Sequence, residues 1–162
     1  MMGRRARGAA ILLVLGAVLA TVAAVHSWRE SARASAAISD SRASQALFRI
    51  AVTFNRDYAT NDAGAVYNRW DSNSRSVISR ANYIQRHREC PTSPGPATVQ
   101  RVNPGANGYW DVHYSISGVQ FTDYWHYVNG RWLFNLVLSN PDAVKLYKLP
   151  FNSYASAVGC TL

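Results

Sequence analysis

Along this chain apolar residues first recur at helical spacing and then, from about residue 98, at every second position. Ala46, Leu47, Ile50, Ala51, Phe54 and Tyr58 follow i, i+3, i+4, i+7 intervals, with Arg49, Arg56 and Asp57 largely on the other side, which predicts an amphipathic helix over about 44–59. Thr60-Asn61-Asp62 breaks it and supplies an N-cap for a short second helix through Ala65, Val66 and Trp70. Ser79 can cap a third, from Arg80 to about Glu89, that turns Ala81, Tyr83 and Ile84 inward and stops at Cys90-Pro91. His87 and Arg88 fall at its end, where the helix dipole favours solvated cations.

After a turn-rich crossing from Pro91 to Pro96 the period becomes two. A strand near Thr98 to Val102 precedes the turn-rich segment Asn103 to Gly108. Tyr109 to Ser117 then alternates, with Trp110, Val112, Tyr114 and Ile116 on one face and Tyr109, Asp111, His113 and Ser115 on the other. Gly118 marks a tight turn or bulge before a long strand, Val119 to Val128. Asn129-Gly130 is the dipeptide best able to supply the two positive-φ residues of a type I′ hairpin. The return strand is expected from Arg131 to Leu138, ended by Asn140-Pro141, with Asp142 capping a short helix from Ala143 to Leu149 and an extended tail after it.

Ahead of these elements lies Ala9 to Val25, 17 residues without charge behind a leader bearing Arg4, Arg5 and Arg7 and in front of Trp28. The run reaches about 25 Å as a helix, near the short end for a bilayer core. An uncleaved anchor would keep the arginines in the cytoplasm and place everything after Trp28 outside; a signal peptide would be cut after Ala24 and the product secreted. The favoured division is a basic cytoplasmic leader (1–8), a transmembrane or signal segment (9–28) that meets the lipid bilayer, an Ala/Ser/charge-rich stalk (29–43) and an extracytoplasmic domain (44–162).

The 48% hydrophobic content allows a real core, and the formal charge of +8 falls to +5 once the leader arginines are set aside. The basic residues are spread, with no cluster of four, so nucleic acid is not the favoured partner. Outside the cytoplasm, Cys90 and Cys160 read as one structural disulfide whose loop would stabilise the fold by roughly 4 kcal/mol at most. No Cys/His cluster, phosphate loop or Ser/His/Asp order is present, so no metal and no cofactor is expected.

Three helices followed by antiparallel strands describe an α+β domain of three helices packed on a curved antiparallel sheet. With the helix Phe48 to Tyr58, the Ala65 to Trp70 and Ser79 to Ile84 segments and the Tyr124 to Phe134 hairpin, the chain resembles the nuclear-transport-factor-two-like, or cystatin-like, superfamily over about residues 44–149. The resemblance implies a cone between helices and sheet. Enzymes of that fold, such as ketosteroid isomerases and SnoaL-like cyclases, place a carboxylate or histidine base in the cone beside a buried proton donor.

Two sets of residues fit such chemistry. Asp123 is a lone carboxylate on the otherwise apolar face and, with Trp125, Tyr127, Trp110 and Tyr114, forms the candidate pocket. A carboxylate at the sheet rim paired with an arginine would look the same. Asp111, His113, Tyr124 and His126 lie on the opposite face, where an acid–base constellation and an ordinary solvated surface share one pattern. The leading expectation is a cone filled by Trp125 and Phe134 and a domain acting by contact with envelope or membrane proteins. That architecture resembles inner-membrane assembly subunits of type IV secretion machines and small proteins that accompany lipid importers. The alternative is a small apolar-ligand or isomerase-like pocket; the oligomeric state stays open.

Overall fold

The computed structural model describes residues 29–31, 33, 35, 39–91 and 94–160. The leader, the apolar segment 9–28 and the Ala24 cleavage site lie outside the described residues. Among those that are described, no helix is long and apolar enough to cross a membrane. The chain divides into two units, Met1–Arg42 and Ala43–Leu162. The first is helical and exposed at its described positions.

The second unit is mixed α+β, with a four-stranded antiparallel sheet in the order β1-β2-β3-β4. Helix α1 takes residues 43–59. It is followed by α2 (Ala63–Asn68), α3 (Ser72–Arg75) and α4 (Arg80–Glu89), then by β1 (Ala97–Pro104), β2 (Tyr109–Ile116), β3 (Val119–Val128) and β4 (Arg131–Phe134). Three further helices close the chain: α5 (Leu136–Ser139), α6 (Pro141–Tyr147) and α7 (Phe151–Ala157).

Local chemistry accounts for the boundaries. Asp62, Asp71 and Ser79 accept from backbone N–H groups of Ala65, Ser74 and Asn82 and so start α2, α3 and α4. Asn129 (φ 50°) and Gly130 (φ 77°) make the β3–β4 turn, and Ser117 (φ 50°) and Gly118 (φ 83°) make an equivalent turn between β2 and β3. These two-residue loops fix the register: Val112 lies opposite Asp123, Trp110 opposite Trp125 and Tyr114 opposite Phe121.

One face of this sheet carries the core. Val112 and Trp125 are fully buried, and Phe54 of α1 packs edge-on against Trp125 at 5.0 Å and on Phe134 at 4.9 Å. A second aromatic layer comes from the helices: Trp70 lies 4.6 Å from Tyr83, which lies 5.4 Å from Tyr147.

The sequence reading needs correction at five points. The return strand ends at Phe134, because the Asn135 side chain accepts from Leu138 N and opens α5; Leu136 and Leu138 are therefore helical, the first buried and the second 48% exposed. The cap of α6 is Asn140, not Asp142. The segment after Leu149 is α7 rather than an extended tail. Ala81 faces solvent. Helix α3, too short to show a period, adds a further turn between the second and third helices expected from the sequence.

Cys90 and Cys160 form a disulfide, with Cα atoms 5.6 Å apart. Bonds of this kind persist mainly in oxidising compartments, and this one points towards an extracytoplasmic setting. Mass analysis of the isolated protein before and after reduction is expected to show the gain of two hydrogens, with no thiol labelled beforehand. Two free thiols would contradict both the bond and the compartment.

Candidate functional site

Period-two alternation along β3 puts Asp123 on the face that the helices cover, between Phe121 and Trp125. It is 6% exposed. Its hydrogen-bond partner is Tyr114 on the neighbouring strand, whose hydroxyl donates to Asp123 Oδ1 at 3.3 Å. No cation pairs with it among the described residues. Burial pushes the Asp123 carboxyl from 3.8 up to about 7, the Tyr114 hydrogen bond opposing the rise. The Tyr114 hydroxyl is itself pushed well above its ordinary value, first by burial and then by the carboxylate.

Beside Asp123 lies a cavity of about 110 Å³. Sheet and helices both wall it: Tyr114, Phe121 and Phe134 come from strands, and Asn55, Tyr83 and Tyr147 from α1, α4 and α6. Phe121 is 41% exposed and stands at the rim. Two wall residues also hold a buried donor without a hydrogen-bond partner: Asn55 Nδ2 and Trp70 Nε1. Such groups are costly to bury unpaired, and few of them occur in a folded domain.

One wall is braced from behind. His87 is 2% exposed, its Nδ1 lies 2.8 Å from Asn61 Oδ1 and its Nε2 lies 3.3 Å from the Tyr147 hydroxyl. The solvated histidine expected at the end of the third helix is thus a core residue: Asn61, held at φ 60°, and Tyr147 cover it. Burial lowers its pKa from 6.5 to about 4, so it is neutral at pH 7 and its free nitrogen can hold the Tyr147 hydroxyl in place.

Of the candidate pocket residues, Asp123 and Tyr114 therefore meet at the cavity. Trp125 is fully buried in the solid core beside Phe54 and Phe134. Trp110 and Tyr127 lie outside the cavity, packed against Trp132 at 5.5 and 5.1 Å, and Tyr127 is 59% exposed at the hairpin end, beyond the cover of the helices. Trp125 and Phe134 are buried, but contrary to expectation they do not fill the cone: a void remains next to Asp123.

The polar set occupies the opposite face in one register, Asp111 across from Tyr124, His113 from Thr122 and His126 from Tyr109. None of the four bonds to another among the described residues. His113 Nδ1 lies 3.0 Å from Thr122 Oγ1, and His126 stacks on Tyr109 at 5.1 Å. His126 Nε2 also lies 3.3 Å from Asp71 Oδ2, close enough for charge attraction but out of line for a hydrogen bond.

Sequence reasoning passed over Asn55, Tyr83, Tyr147 and Asp71, whose roles depend on contacts far away in the chain. No group of His, Cys, Asp and Glu able to hold a metal ion occurs among the described residues. Comparison of the chain with models of protein families, with curated proteins and with solved structures finds no match.

Proposed function

We propose that this chain is a membrane-anchored, extracytoplasmic domain of the nuclear-transport-factor-two-like type that binds a compact, mainly apolar ligand at Asp123. The observation that carries this reading is the carboxyl without a cation on the wall of an aromatic cavity. Desolvating a carboxylate is costly, and such groups concentrate where their charge state is used. With a pKa of about 7, Asp123 is present in both states at neutral pH, so it can accept a hydrogen bond from a ligand or give one.

Size limits the choice. A cavity of 110 Å³ is smaller than the roughly 150 Å³ void that takes up benzene, and well below the usual 300–1,000 Å³ of small-molecule sites. The ligand is therefore smaller than a benzene-sized ring, or inserts only one end past Phe121. Proton transfer within such a ligand, as in isomerases, is the chemistry this carboxyl would perform.

The test uses cyclohexanone, phenol and benzamide as probes, with melting temperature and calorimetry as readouts. Saturable stabilisation by at least one probe is expected, reduced at least tenfold in affinity by Asp123→Leu and blocked by Ala143→Leu, which grows a side chain into the cavity. No saturable response to any probe in a well-folded protein would count against the pocket.

A second reading, contact with envelope proteins, draws on the exposed apolar side chains at the two ends of β3, Val119 (57%) and Phe121 at one and Tyr127 (59%) and Val128 at the other. Cross-linking in native membranes that recovers the chain alone would count against it.

A further inference from the structure

Tyr147 lines the Asp123 cavity and also an open groove of about 610 Å³ between α4 and the α6–α7 turn. The groove contains Arg86, which is 6% exposed. Its Nη2 donates to the Leu149 carbonyl at 2.7 Å, and its guanidinium lies 4.5 Å over the Tyr154 ring. Nε and Nη1 have no hydrogen-bond partner. No carboxylate pairs with Arg86 among the described residues: Glu89 is taken by Arg88 and Asp142 by Lys145. Among the described residues the groove walls carry no acidic side chain, while Lys148, Ser79, Asn82 and Gln85 stand along them.

An arginine keeps its charge at any ordinary pH, so it cannot escape burial by losing a proton. One carbonyl and one aromatic face compensate part of the desolvation and leave the charge unmatched. If packing were the whole role, an apolar side chain of similar length would serve as well or better. We propose that the groove is an oxyanion site of the phosphate class, with the buried Arg86 guanidinium supplying charge, Lys148 a second cation and Ser79 and Asn82 hydroxyl and amide groups. The oxyanion is either free or the headgroup of an anionic lipid. The site is independent of the ligand proposed for Asp123.

The full chain in a non-ionic detergent is titrated with sodium phosphate, against sodium chloride at equal ionic strength, while its melting temperature is followed. A saturable rise specific to phosphate is expected, absent in Arg86→Met and weakened about threefold in Lys148→Gln, the worth of one exposed ion pair. Lys148 is exposed, so its variant reports even if Arg86→Met fails to fold. A parallel titration uses dihexanoyl phosphatidylglycerol, with dihexanoyl phosphatidylcholine as control. A response to the phosphatidylglycerol alone that needs Lys148 or Arg86 assigns the headgroup, and a response to phosphate assigns the free anion. No specific response to either, or one that both variants keep at the wild-type level, overturns the proposal.

Discussion

Asp123→Asn is expected to stabilise the protein above pH 8 and to change the shape of its stability profile against pH. Between pH 3.8 and about 7 the folded protein holds a proton on Asp123 that the unfolded chain has already released. Folding is therefore favoured at the acid end, and that stability is lost as pH rises through about 7. Three pKa units correspond to roughly 4 kcal/mol as an upper value. The amide has no proton to lose and still accepts from the Tyr114 hydroxyl, so the variant avoids the penalty.

His87 acts in the opposite sense. Its folded pKa is lowered from 6.5 to about 4, so the stability it contributes is present above pH 6.5 and is lost as pH falls towards 4. That loss is roughly 3 kcal/mol at most. The two windows overlap from about 4 to 6.5 with opposed slopes, and the contributions of these two groups nearly cancel there in the wild type. Asp123→Asn removes one of them, and stability should then climb from pH 4 to 6.5 and level off. His87→Gln removes the other, and stability should fall from pH 4 to about 7. Urea unfolding across this range measures both, and an Asp123→Asn profile parallel to the wild type would show that the carboxyl is not desolvated in solution.

The parts of this fold that were legible in the sequence are those written locally. Asn129-Gly130 between alternating strands specifies a hairpin by itself, because both residues tolerate φ > 0 and the flanking alternation fixes which side is buried. The same alternation put Asp123 on the apolar face. Asp62 and Ser79 announced the starts of α2 and α4, and two distant cysteines in a chain with a membrane-type leader allowed one pairing.

What escaped the sequence reading depends on contacts between distant residues. Leu136 and Leu138 continue a strand-like alternation past Phe134, and the Asn135 side chain, which caps α5 and also donates to Asp71, turns the chain away together with Ser74 Oγ, which accepts from Leu136 N. Helix α7 (Phe151–Ala157) has no side-chain cap and begins after Pro150, so nothing in its short sequence announces a start. His87 looked solvated at a helix end because the two groups that cover it come from 26 residues before and 60 after. The cavity is a still more distant product: no pattern within one element records that Asn55, Tyr83 and Tyr147 converge without quite filling the space beside Asp123.

The largest single-residue loss of stability is expected at Asp71, which ties two helix caps together. Its Oδ1 accepts from Ser74 N at 2.7 Å and from Ser74 Oγ at 2.6 Å, and its Oδ2 accepts from Asn135 Nδ2 at 2.8 Å. Ser74 Oγ in turn accepts from Leu136 N, and Asn135 Oδ1 from Leu138 N, so one buried carboxylate organises the starts of both α3 and α5. The backbone adds to the tie, since Asp71 N donates to the Phe134 carbonyl and Phe134 N to that of Arg69. Asp71→Ala strips Ser74 N of its acceptor and removes one partner of Asn135 Nδ2, which keeps the Tyr109 hydroxyl. Losing an N-cap alone costs about 1 kcal/mol, whereas each buried donor left without an acceptor adds about 1–3 kcal/mol, so Asp71→Ala is expected to lose roughly 3 kcal/mol. Asp71→Asn should fall between, because it keeps an acceptor for Ser74 but turns an amide donor towards the amide of Asn135. Urea unfolding at pH 7 ranks the three proteins. If Asp71→Ala costs no more than a lost cap, α3 and α5 are held by their separate packing and the knot between them has no energetic meaning.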